Sequence, residues 1–173
     1  GAELVRGRHV VELGCGTGTV GLFAAALGAG SVTLTDGGDS ELLDLARRNL
    51  KGNRELLGAY AAERVCVARY EWGSSKLPAS RCDLLLASDV TYAHQAHDAL
   101  CASIRLLLER GDGPSGRPPR AILAHEHRRI ILAPSDQAEA SDAALCHFLD
   151  SAARAGLQVS TLRLESQARR GLR

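Results

Sequence analysis

Residues 8–27 read RHVVELGCGTGTVGLFAAAL, three pieces of chain with three different physical characters. RHVVEL (Arg8–Leu13) is β-branched at its centre and stopped by Gly14, as a short strand is. Gly14, Gly16 and Gly18 let the backbone adopt positive φ and pass close to a ligand. TVGLFAAAL (Thr19–Leu27) is rich in helix formers and closed by Gly28, so a helix start with free N–H groups follows the glycines directly. The next strand, SVTLTD (Ser31–Asp36), ends in a carboxylate eighteen residues past Gly18, suited to accept both hydroxyls of a ribose. Strand, glycine loop, helix, strand and terminal acid make a nucleoside-binding site the central expectation.

Outward from this stretch the chain keeps the same beat. A helix is expected from Asp39 to Leu57, with Leu42, Leu45, Leu50 and Leu57 on one stripe. RVCVARYEW (Arg64–Trp72) and CDLLLAS (Cys82–Ser88) are strands three and four, the latter with the unbroken apolar centre of a parallel sheet covered on both faces. Gln95–Arg110 reads as a helix, Arg120–Glu126 as strand five, Ser141–Ala155 as a helix and Leu157–Leu164 as strand six. Only Gly73–Arg81 separates strands three and four, so a short turn of helix is expected there. The fold class is α/β: a doubly wound, Rossmann-like, mostly parallel sheet in one domain spanning residues 1–164, with a polar tail at 165–173.

Composition narrows the function. The 173 residues carry 21 basic and 20 acidic side chains, so no polybasic nucleic-acid arm or acidic tail dominates. No apolar run approaches the roughly 18 residues of a membrane span. Five cysteines without a CxxC pair point to reduced thiols, hence to the cytoplasm or the nucleus, and the chain is expected to act as a monomer. With no methionine and Gly1 at its start, the chain reads as a piece of a longer reading frame.

Two cofactors compete for the loop. Gly16-x-Gly18-x-x-Gly21 matches the dinucleotide fingerprint, but the Tyr-x-x-x-Lys pair that serves hydride chemistry follows neither Tyr60 nor Tyr92. Glu12-x-Gly14-x-Gly16-x-Gly18 matches the loop of S-adenosylmethionine (SAM) methyltransferases. Taken with Leu34-Thr-Asp36, Tyr70-Glu-Trp-Gly73 and Ala87-Ser-Asp-Val-Thr-Tyr92, it resembles the seven-β-strand SAM methyltransferases. The closest likeness is to the protein-lysine subgroup with an Asp-x-x-Tyr motif, to which the valosin-containing-protein and calmodulin lysine methyltransferases belong. Ala124-His-Glu-His-Arg-Arg129 is similar to that subgroup's Glu-x-Arg stretch, and the likeness runs from about Arg6 to Leu164.

The resemblance implies a SAM-dependent methyltransferase acting on a lysine side chain of a protein, with a small-molecule or histidine acceptor, or a non-catalytic module, as alternatives. By the same likeness Glu12 begins the loop and counts among the cofactor-binding residues, Gly14, Cys15, Gly16 and Gly18 line the methionine and ribose, and Asp36 holds the ribose. Trp72 packs on adenine with Glu71 at its amino edge, and Ser88 touches the cofactor. Asp89 and Tyr92 face the methyl group and the incoming amine. The family's usual N-terminal segment and last antiparallel strand are not evident in this chain.

Other readings stand beside these. Trp72 and Tyr92 also suit plain packing, and Asp89 a helix cap. His94, His97, His125 and His127 would gather at one edge if strands four and five are neighbours, but no thiolate or carboxylate supports a zinc site, and no metal is expected. Cys15 reads as a small loop residue, and Glu126 and Arg128 as substrate-steering groups or a salt bridge.

Overall fold

The computed structural model describes residues 2–111, 118–126 and 142–162. Five strands form: β1 (His9–Leu13), β2 (Ser31–Asp36), β3 (Val65–Arg69), β4 (Leu84–Ser88) and β5 (Arg120–Ala124). They lie in the order β3-β2-β1-β4-β5, every pairing parallel. This is the doubly wound sheet expected from the sequence. The helices are α1 (Ala2–Val5), α2 (Thr19–Ala26), α3 (Ser40–Gly52), α4 (Arg54–Leu57), α5 (Ala59–Ala62), α6 (His97–Leu108) and α7 (Ala143–Arg154). A 3-10 turn, His94–Ala96, leads into α6. No helix among the described residues is long and apolar enough to cross a membrane.

Because successive side chains of a strand point to opposite faces, the sheet builds two cores. Val11, Leu13, Leu85 and Ala87 pack with Leu100, Ile104 and Leu107 of α6 and Phe148 of α7. Val10, Val32, Leu34, Leu84 and Leu86 form the other core with Val5 of α1, Leu22 and Ala25 of α2 and Ala46 of α3. Helix α2 lies very close to the sheet at Gly21. A Cβ there would stand 2.2 Å from Leu34 Cδ2 and 2.6 Å from Glu12 Oε2.

Three expectations are corrected. The long helix stops at Gly52–Asn53, two poor helix formers, and resumes as the short α4 and α5. Its fully buried positions are Leu43 and Ala46; of the expected stripe, Leu42 and Leu45 are only half-buried, while Leu50 and, on α4, Leu57 pack against the second core. The connection between β3 and β4 contains no helix. It must climb one strand length, about 17 Å, and step across three strand spacings, about 14 Å, which the chain from Tyr70 to Asp83 spans easily in extended form. Leu77 and Ala79 pack it against the first core. Finally, residues 157–162 are not a strand, and Val159 and Leu162 are 55% and 68% exposed. β-propensity is expressed only against a pairing partner, and this run finds none among the described residues. The polar tail, His127 and Arg128 lie outside the described residues.

Candidate active site

In an order β3-β2-β1-β4-β5 the chain winds away from β1 in both directions, so a crevice opens beyond the carboxyl ends of β1 and β4. A cavity of about 510 Å³ lies at this end of the sheet, a size suited to a nucleoside-based ligand. Gly14 and Gly16 come to it from β1, Asp36 to Gly38 from β2, Tyr70 to Trp72 from β3, and Asp89, Val90 and Tyr92 from β4. Leu42 of α3, Ala96 of the 3-10 turn and Ala99 of α6 close it.

The glycine loop is fixed by long-range bonds. Cys15 N donates to Thr35 O (2.8 Å), Gly16 N to Asp36 Oδ2 (3.0 Å) and Asn49 Nδ2 to Thr17 O (2.9 Å). Gly14, Gly16 and Gly18 all have positive φ, the conformation glycine adopts without strain. A Cβ at Gly14 would lie 2.7 Å from Val90 Cγ1 and 3.3 Å from Trp72 Cζ2. The loop, the lone indole and the segment after β4 therefore meet at one point.

Asp36 accepts from Gly16 N and, through its other oxygen, from Gly38 N (2.8 Å). It ties the loop to the end of β2 and keeps lone pairs on the cavity side. Asp89 takes φ +53, alone among the described non-glycine residues in the left-handed region, and its N–H donates to Ala124 O (2.9 Å). Such a conformation costs free energy and persists where the surroundings over-determine it. Tyr92 is 60% exposed at the mouth. Asp36, Glu71 and Asp89 give the described lining three carboxylates and no basic side chain, an arrangement that attracts cations.

Glu12, Cys15, Gly18 and Ser88, also singled out from the sequence, do not line the cavity. Glu12 points beneath α2, where its Oε2 accepts from Gly21 N at 2.8 Å. Burial, only partly offset by that bond and reinforced by Asp36, raises its pKa to about 7. The Cys15 thiol is pushed up to about 12 by burial and by the neighbouring Glu12 and Asp36, so it is no thiolate nucleophile near neutrality. Ser88 sits in the β4–β5 ladder opposite Ala124.

Sequence reading missed Ser103. Fully buried on α6, its Oγ accepts from Gly73 N (2.8 Å) and from Tyr70 Oη (3.1 Å) and donates to Ala99 O (2.9 Å). It thereby bolts the turn carrying Glu71 and Trp72 to α6. A lone serine in an apolar helix gave no signal of this.

The histidines gather differently from the expected set. His94 and His97 meet His147 of α7, with ring centroids 5.0–5.5 Å apart. His97 Nδ1 and His147 Nδ1 bond to each other at 2.8 Å, and His125 is held between Thr91 and Asp142. With those nitrogens committed, no group of three donors among the described residues is arranged to hold a metal.

Comparison with known proteins agrees with this geometry. Residues 1–130 match the family described as lysine methyltransferase. The chain is 31% identical over 152 residues to the protein N-terminal and lysine N-methyltransferase EFM7 of Cryptococcus neoformans, covering 79% of this chain and 50% of that protein. It is 40% identical over 87 residues to the protein N-lysine methyltransferase METTL21A of Xenopus tropicalis, covering 50% of this chain and 37% of that one. The chain thus spans half the length or less of these curated relatives. Its fold is shared by a TehB-like SAM-dependent methyltransferase from Corynebacterium glutamicum, with TM-score 0.57, 19% identity, and coverage of 89% of this chain and 70% of that one. The family match takes in β1 to β5 and every described residue that lines the cavity, so the chain belongs to the lysine methyltransferase family.

Proposed function

We propose that the whole protein transfers a methyl group from SAM to a lysine side chain of a protein substrate. The observation that carries this reading is the acidic cavity at the switch point, where the glycine loop, Trp72 and the left-handed Asp89 converge. SAM carries a net positive charge, which suits a lining with three carboxylates and no basic side chain among the described residues, and its adenine suits the indole of Trp72. Gly14 and Gly16 would let the cofactor approach the backbone, Asp36 would hold the ribose, and Glu71 would sit at the adenine edge. When bound, SAM supplies an electrophilic methyl carbon on a sulfonium leaving group.

The task left to the chain is to present a neutral amine in line with that carbon. A lysine is mostly protonated at pH 7, so baring its lone pair costs about 4–5 kcal/mol. Asp89 would receive the ammonium and then orient the amine, whose proton leaves to solvent. An ordinary carboxylate is too weak a base to hold that proton, so placement contributes most. Tyr92 would wall the amine's path at the mouth.

A second acceptor is favoured by the fungal relative, whose name includes N-terminal methylation. A protein α-amine ionises near 8, so freeing it costs roughly 3 kcal/mol less than for lysine. The five free cysteines support a reducing compartment, cytoplasm or nucleus. The near-neutral charge argues against a nucleic-acid substrate, and we take the working unit as a monomer.

Calorimetric titration of the full-length protein with SAM and, separately, with NAD tests the cofactor. Binding of SAM alone is expected, and binding of NAD alone overturns the reading. Methyl-labelled SAM added with a eukaryotic lysate, followed by acid hydrolysis, should yield ε-N-methyllysine. Label only in N-terminal α-methylamino acids selects the second acceptor, and label in neither removes both.

A further inference from the structure

Asp89 holds a backbone conformation that a non-glycine residue keeps only under constraint, so the constraint must be somewhere in the fold. Asp89 N–H is itself held by Ala124 O, and two residues on stands Thr91, buried at 2% exposure and bonded on both its backbone and its side chain. The Thr91 carbonyl meets His97 Nε2 at 3.0 Å. A carbonyl only accepts, so Nε2 carries the proton. Burial lowers the His97 pKa, keeping the ring neutral and its Nδ1 an acceptor. His147 Nδ1–H of α7 therefore donates to it, at 2.8 Å.

On the other side, Asp142 Oδ2 lies 2.6 Å from His125 Nε2. The carboxylate makes that nitrogen the donor, and the Thr91 hydroxyl bonds the other ring nitrogen, His125 Nδ1, at 2.6 Å. The second oxygen of Asp142 caps α7 by accepting from Leu145 N at 3.0 Å. Two chains of bonds thus run from one residue to α7: Thr91–His97–His147 through the backbone and Thr91–His125–Asp142 through the side chain.

The hydroxyl–imidazole–carboxylate sequence has the order of a nucleophilic triad. Thr91 is buried and does not line the cavity, so its hydroxyl meets no substrate. Its effect passes instead along the backbone, to Asp89 and Val90 before it and Tyr92 after it, all three of which face the cavity. We propose that Thr91, His125 and Asp142, with His97 as the second arm, are positioning residues that clamp the Asp89–Tyr92 turn in its working geometry. This assignment rests on the reading of Asp89 and Tyr92 as the methyl-transfer edge of the cavity. The clamp itself is a property of the turn and can be measured without catalysis.

The test uses the full-length protein and three readouts: amide hydrogen exchange at residues 89–92, SAM affinity, and methyl incorporation into a eukaryotic lysate. Thr91→Val keeps the shape and removes the hydroxyl. Exchange in the turn should rise at least tenfold and incorporation fall at least tenfold, with SAM affinity within about twofold. Thr91→Ser, which restores the hydroxyl, should return incorporation to within about threefold of the parent.

Unchanged exchange in Thr91→Val overturns the clamp. Faster exchange with full incorporation overturns its role in transfer. If the parent protein binds SAM but labels nothing, the acceptor reading fails and exchange alone decides the clamp. Should Thr91→Val not fold, Asp142→Asn probes the arm from its far end, since the amide oxygen still caps α7. Exchange in the turn should then rise about threefold, and an unchanged rate overturns the clamp.

Discussion

Asp36 and Asp89 are held differently although both are carboxylates at the carboxyl end of a strand beside the same cavity. Asp36 spends both oxygens on backbone amides of its own loop and the glycine loop. Asp36→Ala should weaken SAM binding by about 1–3 kcal/mol, read by titration, because a charged acceptor and two backbone partners are lost together. An unchanged dissociation constant would remove it from the cofactor site. At Asp89 the informative change is Asp89→Asn, because asparagine tolerates the left-handed backbone that an alanine would strain. Turnover should drop tenfold or more with SAM affinity within about threefold. Equal loss in both makes Asp89 a cofactor residue instead. Asp36, Trp72, Asp89 and Tyr92 were legible because Asp36 and Trp72 close strand-like runs and Asp89 and Tyr92 follow one within four residues. Ser103 and Thr91 were not, because their partners lie 33 and 34 residues away and are met only in the folded chain.

Glycine separates local from tertiary demands at the level of the helix. Gly21 lies within α2, where an alanine would ordinarily help by about 0.5–1 kcal/mol. Here a Cβ meets Leu34, Val32 and Glu12, and Leu34 is fully buried. Gly21→Ala should therefore destabilise by about 1–3 kcal/mol, seen as a lower denaturant midpoint with an unchanged slope. Gly52, in the last turn of α3, faces open space. Gly52→Ala should raise stability by about 0.4–1 kcal/mol in the same assay. Opposite signs at two helical glycines would establish that α2 packs as closely as described; a gain at both would refute it. The helix breaks at Gly52–Asn53 and the failure of residues 157–162 to form a strand belong to this level too. The first was present in the residue types and outweighed in reading by the leucine stripe. The second depends on a pairing partner, which a run of β-formers does not reveal.

For the molecule as a whole, the buried Glu12 couples stability to pH. Its carboxyl ionises near 4.5 when unfolded and about 7 in the fold, because burial disfavours the charge. Between these values the unfolded chain loses its proton while the folded chain keeps it. The contribution is therefore fully present below pH 4.5 and is lost as pH rises through about 7, a fall on the order of 3 kcal/mol. Glu12→Gln keeps an acceptor for Gly21 N and cannot ionise. Stability measured for both proteins between pH 4.5 and 8 should show the parent losing ground to the variant across that interval. Parallel curves would mean that Glu12 is ionised in the fold.

The sequence by itself determined the alternation of strand and helix, the parallel character of the sheet, and the set of strand ends that carry glycine, carboxylate and indole. These are written in runs of five to ten residues, over which periodicity and turn chemistry act. Only the tertiary structure decided that β4 lies beside β1, that Glu12 turns under α2 rather than toward the cavity, and that α7 braces the Asp89–Tyr92 turn through two histidines. Those outcomes depend on which distant surfaces bury one another and which buried polar atoms find partners, and the free energy that settles them belongs to no single stretch of chain.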